Sequence, residues 1–352
     1  MKFKSIRRWK IVRDYIVGWT LAFLFLSIIR GVGTIEMSSI SFEFWDSIMV
    51  SSIFGFFFGS ISGYAQILTE ERIYGRISFR NLIAFRIIFA ILFLFLLIVV
   101  SYFMAITFFG ETKGLIDFII EPGSPAIYLY ILSIDFFFLI LRQMQLLIGE
   151  SNLGKLLHGR FYTPREEHRI FMFLDLQSST QHAERLGHIK YSKMIQDCFN
   201  DLGVVIENEA EVYQYVGDEV ILTWELKKGL RNQNCINAFF NFKERLKKKQ
   251  KRYQKRYNCL PFFKAGLNSG VVIVTEVGKY KKEIAYHGDT INTAARIQGK
   301  CNEFKQELLI SRNLKEQLGS SKFVFNELGI IALKGKEEDV AILSVHKVNG
   351  QL

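Results

Sequence analysis

Ile170-Phe171-Met172-Phe173-Leu174-Asp175-Leu176-Gln177-Ser178-Ser179-Thr180 and Tyr213-Gln214-Tyr215-Val216-Gly217-Asp218-Glu219-Val220-Ile221-Leu222 decide how the polar half of this chain folds. The first is an apolar run of strand length that closes on an acid and passes into Ser and Thr, the composition of a buried strand leading into a helix. The second is a pair of β-like runs joined at Gly217-Asp218, which reads as a hairpin. Each acid has an ordinary explanation, Asp175 as a helix N-cap and Asp218 as a turn residue. Their conjunction points further. Both stand where strands end, so neighbouring central strands can bring two carboxylates together, and such a pair holds hard divalent cations that clamp phosphate oxygens.

Working outward, residues 149–167 read as a connector, with Leu153, Leu156 and Leu157 at helical spacing and Pro164 breaking the pattern. Beyond the strand at 169–175, a helix is predicted over 179–209 and hairpin strands over 211–216 and 219–224. A basic helix over 229–255 follows, then strands near 262–268 and 271–276 and one ending at Ala285-Tyr286-His287. A helix over 290–303 and strands near 307–311, 322–333 and 339–346 complete the half. This order predicts an α+β sandwich, a sheet with helices on one face.

The other half is of a different kind. Among 352 residues with a formal net charge of +11, the first 150 are dominated by Phe, Ile and Leu. Stretches from Asp14 to Ile29, Trp45 to Leu68, Leu82 to Phe109 and Ala126 to Ile148 are apolar enough to span a bilayer. The chain is thus read as a four-span membrane domain over 1–148, the connector, and an α+β domain over 168–352. Arg72, Arg76 and Arg80 lie in one loop, Lys155 and Arg160 follow the fourth span, and the intervening loops are nearly free of basic residues. That bias places both termini and the polar domain in the cytoplasm of a cell whose inner membrane carries the spans. Arg86 and Arg142 lie near span ends and are expected to snorkel; Asp135 is central and faces another helix or Arg142. Cys198, Cys235, Cys259 and Cys301 have no metal-ligand spacing and read as reduced thiols. The basic run from Lys243 to Arg256 carries no nucleic-acid-binding motif, so no nucleic acid is expected as a partner, and membrane lipid is.

Further residues extend the chemistry of the two acids. The amides from Leu176 through Ser178 and Ser179, at a helix start, suit a triphosphate. In Gly288-Asp289-Thr290-Ile291-Asn292-Thr293-Ala294-Ala295-Arg296, Asn292 and Arg296 project from one helix face. A guanidinium there can stabilise charge developing on phosphate while an amide fixes a sugar. Lys334, in Leu333-Lys334-Gly335-Lys336, can neutralise terminal phosphates.

Together, the Asp175 segment, the Val-Gly-Asp-Glu-Val-Ile hairpin, Gly-Asp-Thr-Ile-Asn-Thr-Ala-Ala-Arg and Leu-Lys-Gly-Lys resemble the class III nucleotidyl cyclase catalytic domain, from about residue 166 to 346. The resemblance implies a ferredoxin-like catalytic fold working as a head-to-tail homodimer with sites at the interface. It implies that Asp175 and Asp218 hold two Mg²⁺ or Mn²⁺ ions per site, that Asn292 and Arg296 serve the partner's site, and that Lys334 contacts the triphosphate. The implied reaction converts ATP to 3′,5′-cyclic AMP and pyrophosphate. The base-reading positions depart from the family. Adenylate cyclases carry Lys where this chain has Gln214, and Asp or Thr at Ala285; guanylate cyclases carry Glu and Cys. Gln presents either a donor or an acceptor, so GTP stands as the alternative substrate. A transporter with a nucleotide-binding regulator would show Gly- or Pro-broken spans with several interior polar groups. A catalytically silent nucleotide sensor would have lost one of these residues, and all are present.

Overall fold

Apolar runs that lack interior proline fold as long helices in the first half of the chain, because each backbone polar group in hydrocarbon must be bonded within its own segment. The computed structural model describes residues 3–33, 44–72, 78–110, 114–121, 123–149, 152–319, 322–331 and 339–347. The chain divides into two units, Met1–Ile148 and Gly149–Leu352. The first holds α1 (Phe3–Gly33), α2 (Phe44–Arg72), α3 (Phe79–Phe109), the short α4 (Leu115–Ile119) and α5 (Ser124–Ile148). Among the described residues, α1, α2, α3 and α5 are long and apolar enough to cross a membrane, and each contains one of the expected spans.

Two features hold this unit together, and neither is visible in hydropathy. On α2, Gly55, Gly59 and Gly63 lie along the helix one turn apart. A Cβ at each would stand 2.3, 2.5 and 2.9 Å from the Cα of Thr20, Ile16 and Val12 on α1. Only the bare backbone allows the two helices to approach this closely. Around that seam Trp19 is fully buried, its ring 5.6 Å from those of Phe23, Phe93 and Phe138.

The second feature corrects the expectation for the ionisable residues. Arg86 and Arg142 do not snorkel; they are 4% and 7% exposed. Arg86 donates to both oxygens of Asp135, at 2.7 and 3.1 Å, and Arg142 donates to Glu70 at 2.5 and 2.8 Å. Gln66 links the two pairs: its Oε1 accepts from Arg86 at 3.4 Å and from Tyr15 at 3.3 Å, and its Nε2 donates to Glu70 at 2.9 Å. A guanidinium reaching for the interface would leave a carboxylate alone in an apolar bundle, so the bidentate pair prevails. The basic start of α1 joins the same end, with Arg7 on Glu70 at 2.9 Å and Arg8 on Glu71 at 2.5 Å.

The second unit begins with α6 (Asn152–Leu157), where Lys155 pairs with Glu225 at 3.2 Å. It continues with β1 (Arg165–Leu176), α7 (Ser179–Leu186), α8 (His188–Leu202), β2 (Glu211–Val216) and β3 (Glu219–Glu225). Then come α9 (Leu226–Leu230), α10 (Asn234–Lys248), α11 (Gln250–Tyr257), β4 (Phe263–Val277), β5 (Glu283–His287) and α12 (Asp289–Gly299). The unit closes with β6 (Leu308–Ser311), α13 (Arg312–Gln317), β7 (Phe323–Ile331) and β8 (Val340–Lys347). The strand order is β2-β3-β1-β4-β6-β8-β7, with β5 on β4. β1 is therefore central, antiparallel to both β3 and β4.

Alternation along the strands sorts the core. Ile170, Met172, Leu174, Leu222 and Trp224 bury against α8 and α10, while Phe171, Phe173, Ile221 and Val272 face the other way, towards Ala294 of α12. Helices thus lie on both faces of the sheet, not on one. α12 reaches the second face because Gly266 and Gly270 leave β4 bare there. A Cβ on Gly266 would stand 2.2 Å from the Gln298 nitrogen, and one on Gly270 would stand 2.5 Å from Thr290 Oγ1. The residues read as two strands over 262–268 and 271–276 form the single strand β4, since Gly270 makes room for a helix and not for a turn. The helix expected over 179–209 breaks at Gly187, whose φ of +71° lies outside helical space. In the basic run, Lys243 pairs with Glu307, Arg245 and Lys249 with Asp201, and Arg252 and Arg256 with Asp197. All four cysteines are free thiols.

Candidate active site

The carboxyl end of β1 is where polar groups gather. Directly opposite Asp175 stand Glu219 on β3 and Lys264 on β4. Cross-strand partners share a face, so these three form a row across the centre of the sheet. Asp218 sits beside them in the tight β2–β3 connection. Burial pushes the Asp175 carboxyl up from its ordinary value, the charge of Asp218 adds to this, and hydrogen bonds from Gln298 and the Leu176 amide act against it. Burial and the same two aspartates push Glu219 up to about 7. Tyr191 on α8 is pushed up to about 12 by burial and by Asp218, which faces its hydroxyl.

Beside this row lies a cavity of about 250 Å³, lined by residues 175–180 together with Lys264, Gln298 and Asn302. After β1 the chain is pinned by Gln177 N–H to Phe262 O at 2.9 Å. Ser178 takes the left-handed conformation, φ +58°, and precedes α7, so residues 176–179 line the cavity. Free N–H groups at a helix start attract anions. Lys264 adds a cation, its Nζ donating to Asn302 Oδ1 at 2.8 Å. The sequence reading missed Lys264, Gln298 and Asn302. A charged residue inside the otherwise apolar Phe262-Phe263-Lys264-Ala265 was the one available signal.

The acids fit a divalent cation. Oδ2 of Asp218 is buried and has no hydrogen-bond partner, an arrangement that is costly unless a cation supplies the missing interaction. Among the described residues no three His, Cys, Asp or Glu close into a cage. A cation held by Asp175 and Asp218 would therefore take its other oxygens from backbone, water or phosphate, the habit of Mg²⁺.

The remaining expected residues lie on α12, β2 and β5 or outside the described residues. Asn292 and Arg296 are on α12; Asn292 is exposed, and Arg296 Nη1 lies 3.8 Å from Asp289 of its own helix. Neither makes a described hydrogen bond to Asp175 or Asp218. Gln214 is exposed on β2, and Ala285 on β5 lies opposite Thr275. Lys334 lies outside the described residues.

Known proteins bear on this arrangement. The sequence model of the family described as Adenylate and Guanylate cyclase catalytic domain matches residues 161–345. Adenylate cyclase 2 of Rhizobium meliloti (strain 1021) is 34% identical over 201 residues, covering 56% of this chain and 55% of that protein. Adenylate cyclase 1 of the same organism is 24% identical over 180 residues, 49% of this chain and 27% of that one. The chain thus spans about half the length of the first relative and less of the second. Among solved structures, a bacterial light-regulated adenylyl cyclase superposes with a TM-score of 0.54 at 18% identity, covering 64% of this chain and 67% of that one, a likeness of fold. The matched stretch holds the row of acids, the amide-lined cavity and α12, and by it this chain belongs to the adenylate and guanylate cyclase catalytic domain family.

Proposed function

We propose that this protein is a membrane-anchored cyclase that converts ATP to 3′,5′-cyclic AMP and pyrophosphate as a homodimer. The observation that carries the reading is the buried, unpartnered Asp218 oxygen, whose carboxylate acts electrostatically on Asp175, with Asp175 itself lining a cavity shared with the start of α7 and Lys264. ATP is favoured over GTP because relatives at 34% and 24% identity are named adenylate cyclases. The basic residues that follow the second and fourth spans favour a cytoplasmic catalytic unit.

Asp175 and Asp218 would hold two Mg²⁺ or Mn²⁺ ions, which when bound would supply Lewis acidity towards the ribose 3′-hydroxyl and the phosphoryl oxygens. The 3′-oxygen gives its proton to solvent water and bonds to the α-phosphorus, while the bond to the β-phosphate oxygen breaks and pyrophosphate leaves. The amides of residues 176–179, Lys264 and Lys334 bind the triphosphate and position it for in-line attack. Arg296 stabilises charge developing on the α-phosphate, and Asn292 orients the ribose. Asn292 is exposed on α12, and the buried Nη1 of Arg296 has no hydrogen-bond partner among the described residues, which favours service to a partner's site. One chain carries both sets, so a homodimer builds two sites. Gln214 and Ala285 face the base.

The test is product formation by the full chain in lipid, offered ATP, GTP, CTP and UTP separately with Mg²⁺ or Mn²⁺. Asp175→Ala and Arg296→Ala chains are each expected to be inactive alone, and mixing them is expected to restore one intact site per heterodimer. Heterodimers that form and stay inactive would refute shared sites. Full activity in Asp175→Ala or Asp218→Ala would refute the metal assignment.

A further inference from the structure

The helix that carries Asn292 and Arg296 also touches the acids of its own chain. Two residues beyond Arg296, Gln298 Nε2 donates to Oδ2 of Asp175 at 3.4 Å. The Leu176 amide is the other donor to this carboxylate. The terminal torsion of an aspartate is soft, so a carboxylate needs such donors to hold its plane. Gln298 is itself held. Gly266 brings β4 so close that an added Cβ would meet the Gln298 nitrogen at 2.2 Å and Ala294 O at 2.8 Å. At the other end of α12, Thr290 Oγ1 donates to Val271 O at 2.8 Å, and Asn268 Nδ2 donates to Thr290 O at 3.0 Å. The helix is clamped at both ends to the strand beside β1, and the backbone of Gln298 is held where its amide reaches Asp175.

We infer that Gln298 is a positioning residue for Asp175, holding one carboxylate oxygen so that the other is presented to a divalent cation. A donor that orients a ligating carboxylate commonly accounts for about 10- to 100-fold in metal affinity. Since α12 also carries Asn292 and Arg296, the same helix would set the acid of its own site and supply the phosphate-facing pair of its partner's. The inference rests on Asp175 being a metal ligand and on the shared sites proposed above.

The test is Mn²⁺ binding by the full chain in lipid, followed by electron paramagnetic resonance without nucleotide. Gln298→Met removes the donor and keeps the length, and Gln298→Asn keeps an amide too short to reach, which serves if the first variant folds poorly. Lys300→Met on the same helix is the control. Both Gln298 variants are expected to weaken Mn²⁺ binding at least tenfold while the control does not. A change below twofold in a folded variant overturns the inference; a wild-type chain that binds no Mn²⁺ overturns the metal assignment and the inference with it. A second arm separates positioning from general damage to α12. In mixed dimers of Asp175→Ala and Arg296→Ala chains, Gln298→Met is expected to raise the Mn²⁺ needed for activity only when placed on the Arg296→Ala chain, which supplies Asp175. An equal effect from the Asp175→Ala chain, whose α12 supplies Asn292 and Arg296, would make the role merely structural and overturn the inference.

Discussion

Glu219 gives the sharpest quantitative prediction, because three acids are crowded at the end of β1 and β3. With burial and the charges of Asp175 and Asp218 acting together, its carboxyl stands at about 7 against an ordinary 4.5. An acid whose pKa is higher folded than unfolded binds its proton more tightly in the native state, so stability is lost as pH rises from 4.5 through about 7. That difference corresponds to roughly 3.4 kcal/mol as an upper bound. The carboxyl is only half buried, and solvent screening brings the figure down to about 1–2 kcal/mol. Glu219→Gln is therefore expected to stabilise the metal-free second unit at pH 8 by about 2–8 °C in Tm, given roughly 2–4 °C per kcal/mol for a unit of this size. The assay is thermal unfolding of the full chain carrying Trp9→Phe, Trp19→Phe and Trp45→Phe, followed by fluorescence of Trp224, the one tryptophan of the second unit. At pH 5 the advantage should shrink, and saturating Mg²⁺ at pH 8 should stabilise the wild-type chain and shrink it again. A Glu219→Gln chain no more stable than wild type at pH 8 without divalent cation would refute the reasoning, as would an equal gain at pH 5.

Arg86→Ala leaves Asp135 buried without its guanidinium and should cost about 3–5 kcal/mol, whereas replacing both with apolar residues of similar size should cost much less; thermal unfolding of the two variants separates them. Gly59→Ile places a Cβ where the Ile16 Cα already stands, 2.5 Å away, so α1 and α2 must separate; cysteine cross-linking between them should lose efficiency, and unchanged cross-linking would count against the seam. Gly266→Val should push α12 off β4 and abolish turnover with either metal, which a cyclase assay on the full chain would check. Gln214→Lys with Ala285→Asp should raise kcat/KM for ATP relative to GTP, and Gln214→Glu with Ala285→Cys should do the reverse; two variants with the same preference would refute base reading at these positions.

The amino-acid sequence by itself determined the apolar spans, because crossing hydrocarbon requires a long unbroken run of apolar residues, and that requirement is local. It likewise placed Asp175 and Asp218, since a strand end and a tight turn are written in a few neighbouring residues. It did not determine where Arg86 and Arg142 point. Their partners, Asp135 and Glu70, lie 49 and 72 residues away, and only the docking of the helices decides which carboxylate is in reach. Lys264 and Gln298 entered the site in the same way. One owes its place to the register of β4 against β1, the other to the close approach that Gly266 permits between α12 and the sheet. Periodicity and composition act over a turn or a pleat, so they fix elements and the chemistry at their ends. The pairing of a buried charge, or the donor that steadies a carboxylate, depends on how elements distant in the chain pack, and that is decided by the tertiary structure alone.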